Sequence, residues 1–245
     1  MEKKSETESG TRLNKYLSDL GVCSRREADR LSGQGRITVD GIAAVPGTRV
    51  KKGQEVCVDG KPVGERPDKV VIALYKPRGI VCTTDRVREK DNIIDFLKYS
   101  ERIYPIGRLD KESEGLILLT NDGSLVNHIL KGSSYHEKEY IVTVDKPVTE
   151  AFLKGMAGGV DIPDGRTRPC QVSKISERTF SIILTQGMNR QIRYMCRHFH
   201  YRVLRLKRIR IMNITLGDLR TGKWRYLTGE ELAQMKKMFG KEVRR

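Results

Sequence analysis

The chain has 245 residues, of which 38% are hydrophobic, so it can bury a sizeable core in one large domain or, as we favour, in a small domain joined to a larger one. Lys and Arg number 47 against 31 Asp and Glu, and this formal charge of +16 predicts a polyanionic partner, either nucleic acid or an anionic membrane surface. No stretch approaches the roughly 20 apolar residues of a membrane span, and the N-terminus lacks the apolar segment of a signal peptide, so we expect a cytoplasmic protein that is not bound to membranes.

The N-terminal part of the chain begins with a polar segment and continues as two short helices. Residues 1–10 are polar, charged and without periodicity, which predicts a disordered tail. Beyond it, apolar residues recur at helical intervals at Leu13, Tyr16, Leu17 and Leu20. Ser24 followed by Glu27 matches a capping box, and Gly33 and Gly35 are placed to end the second helix. The pattern therefore predicts two helices in tandem.

Short strands joined by tight turns are predicted next. Residues 36–63 alternate polar and apolar side chains in short runs. Four turn-forming dipeptides interrupt them and predict tight hairpins: Asp40-Gly41, Pro46-Gly47, Lys52-Gly53 and Asp59-Gly60. Residues 60–69 are rich in Gly, Pro and charge, and we place a linker at 64–69.

The remaining chain, residues 70–245, predicts a larger α+β domain. Strand-like runs occur at VVIALYK, GLILLT, EYIVTV and TFSIILT, with helical patterns such as NIIDFLKYS and TEAFLKGM between them. This arrangement favours helices flanking a large mixed or antiparallel sheet. A further strand at 201–212 interleaves aliphatic residues with basic ones, which predicts one buried and one phosphate-facing side, a merely solvated face being the alternative. The basic residues are Arg202, Arg205, Lys207, Arg208 and Arg210.

The cysteines and histidines give no sign of a metal site or a disulfide framework. The five cysteines are odd in number and never spaced as CxxC: Cys23, Cys57, Cys82, Cys170 and Cys196. His198 and His200 form a lone HxH without acidic or cysteine partners nearby, which favours a structural or RNA-facing role. The chain also lacks a P-loop and a convincing GxGxxG, so we expect no metal and no cofactor.

One polar loop combines a carboxylate with an adjoining apolar strand. In IGRLDKESEGLILLTNDG, residues 106–123, Arg108 and Asp110 lie immediately before the apolar run. A carboxylate beside a buried wall stays ionised only when a cation is close, because burial disfavours the charged form. By itself the RLD tripeptide is weak evidence, and a surface ion pair is the alternative.

A longer set of motifs makes the pattern specific. GRLDKESEGLILLTNDG at 107–123 occurs together with KPRG at 76–79, KEY at 138–140 and QGMNRQIRYMC at 186–196. In this order and spacing they resemble the RsuA-type family of RNA pseudouridine synthases, and within it the RluF-type enzymes. The resemblance implies an isomerase that converts a specific uridine of structured RNA to pseudouridine without metal or cofactor. It implies bacterial 23S rRNA as the substrate, with tRNA as a further candidate.

The resemblance also implies roles for three residues. Asp110 would attack the target ribose, or otherwise assist cleavage of the C1′–N1 bond; a covalent adduct at C1′, addition to the base and a glycal intermediate all stay open. Tyr140 would stack on the target base and could take the C5 proton, the alternative being an ordinary strand aromatic. Arg193 would pair with Asp110, the alternative being a basic helix face shared with Arg190 and Arg197.

Further basic and polar residues are expected to contact RNA. Arg108 suits phosphate or base-flipping contacts as well as stabilisation of its own loop. Tyr194 departs from the family, which usually has a second Arg there, and this puts one local RNA contact in doubt. The other RNA-binding candidates in the larger domain are Asn189, Arg190, Gln191, Arg197, Arg205 and Lys207.

Residues 11–63 resemble an S4-like (αL) RNA-binding domain. The signature is RLNKYL, then SRREA, then GRITVDG. Structured RNA is the implied partner, and the residues expected to grip its phosphates are Arg12, Lys15, Ser24, Arg25 and Arg26.

Two rival interpretations remain at this point. One is an RNA-binding or ribosome-assembly protein of the same fold without turnover. The other is DNA binding, which the absence of a recognition-helix motif or a dimerising heptad disfavours. We expect a monomer.

Overall fold

A computed structural model describes residues 10–65, 67–130 and 135–239. The described chain divides into two compact units. Residues up to Lys69 together with Tyr99–Ile103 form the first unit, and Val70–Lys98 with the chain from Tyr104 onward forms the second. The predicted disordered tail lies outside the described residues except for Gly10, as do the last six residues of the predicted larger domain.

The first unit is built from short helices and strands around its own core. In chain order the elements are β1 (Thr11–Arg12), α1 (Leu13–Asp19), α2 (Arg25–Gly33), β2 (Ile37–Val39), β3 (Ile42–Ala43), β4 (Arg49–Val50), β5 (Val56–Val58) and β6 (Lys61–Pro62). Both predicted helices are confirmed, and the Ser24 hydroxyl caps α2 by accepting a hydrogen bond from the Glu27 N–H at 3.0 Å. The Glu27 carboxylate pairs with Arg30, so the reciprocal half of the predicted capping box is not formed. Leu17 of α1 and Ile37 of β2 are fully buried in this core.

Two of the four predicted hairpin turns are confirmed. Asp40-Gly41 joins β2 to β3, and Asp59-Gly60 joins β5 to β6. In both turns the two residues have positive φ, which matches the type I′ geometry that twists with the strands. The prediction was wrong at Pro46-Gly47 and Lys52-Gly53, because β4 pairs with β1, whereas β2 and β5 pair with each other. These two turns therefore connect strands of different sheets.

The second unit contains a large sheet with helices around it. Its strands are β7 (Val71–Lys76), β8 (Tyr104–Pro105), β9 (Glu114–Thr120), β10 (Lys138–Val144), β11 (Asp161–Ile162), β12 (Gly165–Arg166), β13 (Gln171–Ser176), β14 (Thr179–Leu184), β15 (Val203–Ile211), β16 (Ile214–Thr215) and β17 (Trp224–Tyr226). Its helices are α3 (Ile93–Leu97), α4 (Gly123–Leu130), α5 (Glu150–Ala157), α6 (Gln191–His198) and α7 (Gly229–Phe239). None of the helices in the described ranges is long and apolar enough to cross a membrane.

The sheet is mixed, which is one of the two arrangements that the sequence predicted. Its strand order is β13-β14-β10-β15-β9-β7-β17, with β16 on β15 and β8 on β9. The pairing of β9 with β15 is parallel, whereas the other pairings in this sheet are antiparallel. Every residue of β7 and β9 is buried, which explains why both strands read as continuous apolar runs.

Close approach of β15 to β9 requires a glycine immediately after the Asp110 loop. Gly115 pairs with Arg208 and has a φ of +105°. A Cβ at this position would lie 2.2 Å from the Arg208 carbonyl oxygen, so no other residue fits without moving the strands apart. The glycine therefore allows β9, the strand that follows the Asp110 loop, to pair closely with β15.

Strand β15 differs from its prediction at one residue. The segment is a strand, but Arg208, which we placed on the phosphate-facing side, is only 3% exposed. Its Nε donates a hydrogen bond to the Leu116 carbonyl oxygen at 2.7 Å. The error arises because the interleaving of basic and aliphatic residues along a strand cannot show that one basic side chain is buried in the interior.

Candidate active site

The loop that carries Asp110 runs from β8 to β9 and is fixed at two points. Leu109 is buried, and its N–H donates to the Cys82 Sγ at 3.4 Å. The Ser113 N–H donates to the Asp110 carbonyl oxygen at 3.0 Å and closes a turn. The Asp110 side chain remains 34% exposed and lines a cleft. The chain thus anchors its neighbours and leaves the carboxylate accessible.

Arg193 of α6 lies beside this carboxylate. Its Nε is 3.8 Å from Asp110 Oδ2, which makes an ion pair without a hydrogen bond, and its side chain is 16% exposed. Its Nη2 donates to the Ser113 hydroxyl at 3.2 Å and to the Glu112 carbonyl oxygen at 3.4 Å. Burial lowers the pKa of Arg193, and the Asp110 charge opposes that shift. A guanidinium stays charged in such surroundings.

Tyr140 contributes an aromatic ring to the same cleft. It lies on β10 opposite Ile182 of β14 and Arg208 of β15, and it is buried at the cleft wall. The Arg208 guanidinium carbon is 6.0 Å from the centroid of the Tyr140 ring. The structure therefore brings together the three residues for which the resemblance implied catalytic roles.

The cleft has a volume of about 760 Å³, enough for a nucleoside. Its charged lining residues are Arg108, Asp110, Lys138, Arg168, Arg190 and Arg208. Asp110 is thus the one acidic side chain among the described residues of the lining. A cleft with this balance of charge favours an anionic ligand.

The RNA-binding candidates near the cleft are placed differently from one another. Arg108, Asn189 and Arg190 line the cleft. Arg190 has a φ of +47° and precedes α6, so it does not belong to a helical stripe with Arg193 and Arg197. Arg193 points to Asp110, whereas Arg197 is exposed on the same helix. The interpretation of these three as one basic helix face is therefore wrong.

Other candidates are held by protein contacts. Gln191 is buried, and its Oε1 accepts a hydrogen bond from the Met188 N–H at 3.1 Å, so it stabilises the turn before α6. Arg205 forms an ion pair with Glu114, and the Lys207 ammonium is 5.1 Å from the centroid of the Tyr75 ring. Their RNA contacts stay predictions.

The candidates in the first unit lie along α1 and α2. Arg12, Arg25 and Arg26 are exposed. Lys15 pairs with Asp19 at 3.2 Å, and the Ser24 hydroxyl oxygen already caps α2. Exposed arginines at the ends of two helices can contact backbone phosphates without reading sequence.

Sequence reasoning missed two lysines near the cleft, one fully buried and one half-buried. Lys76, from the KPRG motif, is fully buried and donates to the carbonyl oxygens of Pro77 and Ile80, both at 2.8 Å. Burial lowers its pKa to about 8. Lys138, from the KEY motif, lines the cleft, and burial and the neighbouring Arg208 lower its pKa to about 8. The two motifs contained the signal, but a lysine in a motif does not reveal its burial.

No group of three or more His, Cys, Asp and Glu side chains that could hold a metal ion occurs among the residues the structure describes. The chemistry available in the cleft is that of a carboxylate, an aromatic ring and several cations.

Comparison with known proteins identifies the class to which this cleft belongs. Residues 70–198 match the model of the RNA pseudouridylate synthase family, and residues 11–56 match the S4 domain. The chain therefore belongs to the RNA pseudouridylate synthase family, carries an N-terminal S4 domain and is an isomerase of uridine in RNA. The family resemblance and the fold class predicted from the sequence are confirmed.

Particular relatives narrow the class further. The chain is 52% identical over 233 residues to "Dual-specificity RNA pseudouridine synthase RluF" of Escherichia coli (strain K12), covering 94% of this chain and 80% of that protein. It is 34% identical over 233 residues to "Ribosomal large subunit pseudouridine synthase B" of Bacillus subtilis (strain 168), covering 92% of this chain and 95% of that protein. A crystal structure of a pseudouridylate synthase shares the fold with a TM-score of 0.68 and 24% identity, covering 92% of this chain and 100% of the other.

Proposed function

We propose that this enzyme isomerises a specific uridine of bacterial 23S rRNA, and that tRNA is its second class of substrate. The 52% identity to a relative named dual-specificity supports two substrate classes. The relative named for the ribosomal large subunit supports 23S rRNA as one of them. The charge of +16 and the S4 domain agree with a large structured RNA. The cytoplasmic location and the monomeric state stay predictions.

We assign the chemistry to Asp110. The observation that carries this assignment is that its carboxylate is accessible in a cleft that also holds the Tyr140 ring, while the Arg193 Nε lies 3.8 Å from its Oδ2. The target nucleotide leaves its stack and enters the cleft at a cost of a few kcal/mol, which contacts to the basic surface offset. Arg108, Asn189 and Arg190 line the cleft, which supports their assignment as contacts to its phosphates.

The reaction balances without any external reagent. Asp110 promotes cleavage of the C1′–N1 bond, whose electron pair leaves with the uracil. The uracil turns in the cleft, and its C5 forms the new bond to C1′. The C5 proton is then lost, Tyr140 being its acceptor in our assignment, while N1 takes up a proton. Stacking on the Tyr140 ring keeps the detached base in the cleft during the turn.

The substrate assignment is tested by chemical mapping of pseudouridine. Total 23S rRNA and tRNA from the source organism, from a strain without the gene and from that strain complemented with the wild type or with Asp110→Asn would be compared. We expect a site that disappears with the gene and returns with the wild-type gene alone. Complete retention of every pseudouridine in 23S rRNA and tRNA after gene loss would overturn the assignment.

A further inference from the structure

Lys138 and Arg208 are cations of the cleft that have no role in the reaction described above. Lys138 begins β10 two residues before Tyr140, so both side chains lie on the same face of the sheet. Arg208 lies opposite Tyr140 on the adjacent strand. The three side chains all line the cleft into which Asp110 points. They form one wall, which we call the cationic wall, made of Lys138 and Arg208 beside the Tyr140 ring.

Neither cation of this wall has a carboxylate partner within 4.0 Å among the described residues. The Lys138 ammonium donates one hydrogen bond, to the His136 carbonyl oxygen at 3.2 Å, which leaves donors available. Arg208 donates from Nε to Leu116, but its Nη2 is buried and has no hydrogen-bond partner. Buried charge without a counter-ion is costly to hold, so this wall is suited to meet a negative charge that arrives with a ligand.

The isomerisation produces such a charge. When the C1′–N1 bond breaks, its electron pair moves onto the uracil and is shared by N1, O2 and O4. When C5 then bonds to C1′, that charge is consumed. An anion that exists only between the two bond changes is best stabilised by donors already fixed around it.

We propose that Lys138 is a catalytic residue that donates a hydrogen bond to a carbonyl oxygen of the detached uracil, and that Arg208 is a positioning residue that adds positive potential and holds the Tyr140 ring in place. This inference rests on the proposed function. The ammonium keeps its proton throughout, so the reaction remains the isomerisation already balanced. Arg193 acts at the carboxylate, whereas the cationic wall acts at the base.

The protonation of Lys138 makes the inference measurable. Its pKa of about 8 lies near physiological pH. The charged or titratable groups around it are Arg208 on β15, His136 beside it on the same chain segment, and Asp110, Arg108 and Arg168 across the cleft. Because the protonated form is the active one, kcat/KM should be constant below the pKa and fall as the pH rises through it.

The test uses the full-length enzyme and a 23S rRNA transcript labelled with [5-³H]uridine, with tritium release followed from pH 6 to 10. We expect Lys138→Met to lower kcat about 100-fold, as loss of one preorganised donor does, with little change in Kd for the transcript. Lys138→Arg should retain much more activity and lose the alkaline fall, because a guanidinium stays charged. The Arg208→Gln variant keeps Lys138 but removes a neighbouring positive charge that lowers its pKa. The fall in kcat/KM at alkaline pH should therefore move to higher pH in this variant.

A matched control variant and the named outcomes distinguish failure of the Lys138 inference from failure of the proposed function. Lys154→Met removes an exposed lysine of α5 and should leave the rate and its pH profile unchanged. Wild-type kcat in Lys138→Met, or an unchanged alkaline fall in Lys138→Arg, would overturn the inference while leaving the proposed function intact. If Lys138→Met fails to fold, the pH profile of Lys138→Arg decides. A wild type that releases no tritium from either 23S rRNA or tRNA transcripts would overturn both.

Discussion

The ion pair between Arg193 and Asp110 gives a quantitative prediction. Two unit charges about 4 Å apart attract each other by about 4 kcal/mol at an effective dielectric constant near 20. The observed separation is 3.8 Å, and the 34% exposure of Asp110 adds solvent screening, so we take about half, or ~2 kcal/mol. We attribute this free energy to holding Asp110 in the orientation that faces the ribose. At about 1.4 kcal/mol per factor of ten, Arg193→Met should lower the single-turnover rate about 30-fold.

The assay is single-turnover tritium release at enzyme concentrations that saturate the RNA. Under these conditions a change in affinity does not alter the rate. Arg197→Met is the matched control, because it removes the same charge from an exposed position of the same helix. It should raise Kd and leave the saturating rate near that of the wild type. Arg193→Met with more than a third of the wild-type rate would refute the idea that this pair orients the catalytic carboxylate.

Further predictions concern the ring and the first unit. Tyr140→Phe keeps the ring and loses the proton acceptor, so tritium release should fall about 100-fold or more at unchanged RNA affinity, whereas wild-type release would show that another group takes the C5 proton. Tyr140→Ala also loses stacking worth about 1 to 3 kcal/mol and should in addition weaken RNA binding. Replacing Arg12, Arg25 and Arg26 together by Ala should raise Kd and reduce the salt dependence of binding by about one unit per lost phosphate contact, at an unchanged saturating rate. An unaltered salt dependence would place the RNA elsewhere.

Periodicity and capping signals in the sequence predicted the helices of the first unit and the central strands of the second. These signals depend on residues close together in sequence. The same holds for the Asp-Gly turns at 40–41 and 59–60, each of which joins two paired strands in a hairpin. The turns at 46–47 and 52–53 look similar in sequence but join different sheets. Strand partners are chosen by contacts distant in sequence, which a dipeptide cannot encode.

The residues of the site could be predicted only in part, because their burial depends on contacts between strands that are distant in sequence. The family resemblance implied Asp110, Tyr140 and Arg193 as candidates, and in the structure Asp110 and Tyr140 line one cleft with Arg193 beside Asp110. The half-burial of Lys138 and the full burial of Arg208 depend on how β10 and β15 pair. A basic residue in an alternating strand reads as exposed from sequence, since lysine and arginine are rarely buried. Their position in the cleft is therefore visible only in the fold.

The central claim is that the Asp110 carboxylate performs the isomerisation. Its most direct test is tritium release from a [5-³H]uridine-labelled 23S rRNA transcript by Asp110→Asn, with Kd for the same transcript measured in parallel. The substitution keeps the shape of the side chain and nearly all of the positive surface. We expect no detectable release and an RNA affinity close to that of the wild type. Release at a rate comparable with the wild type would contradict the account.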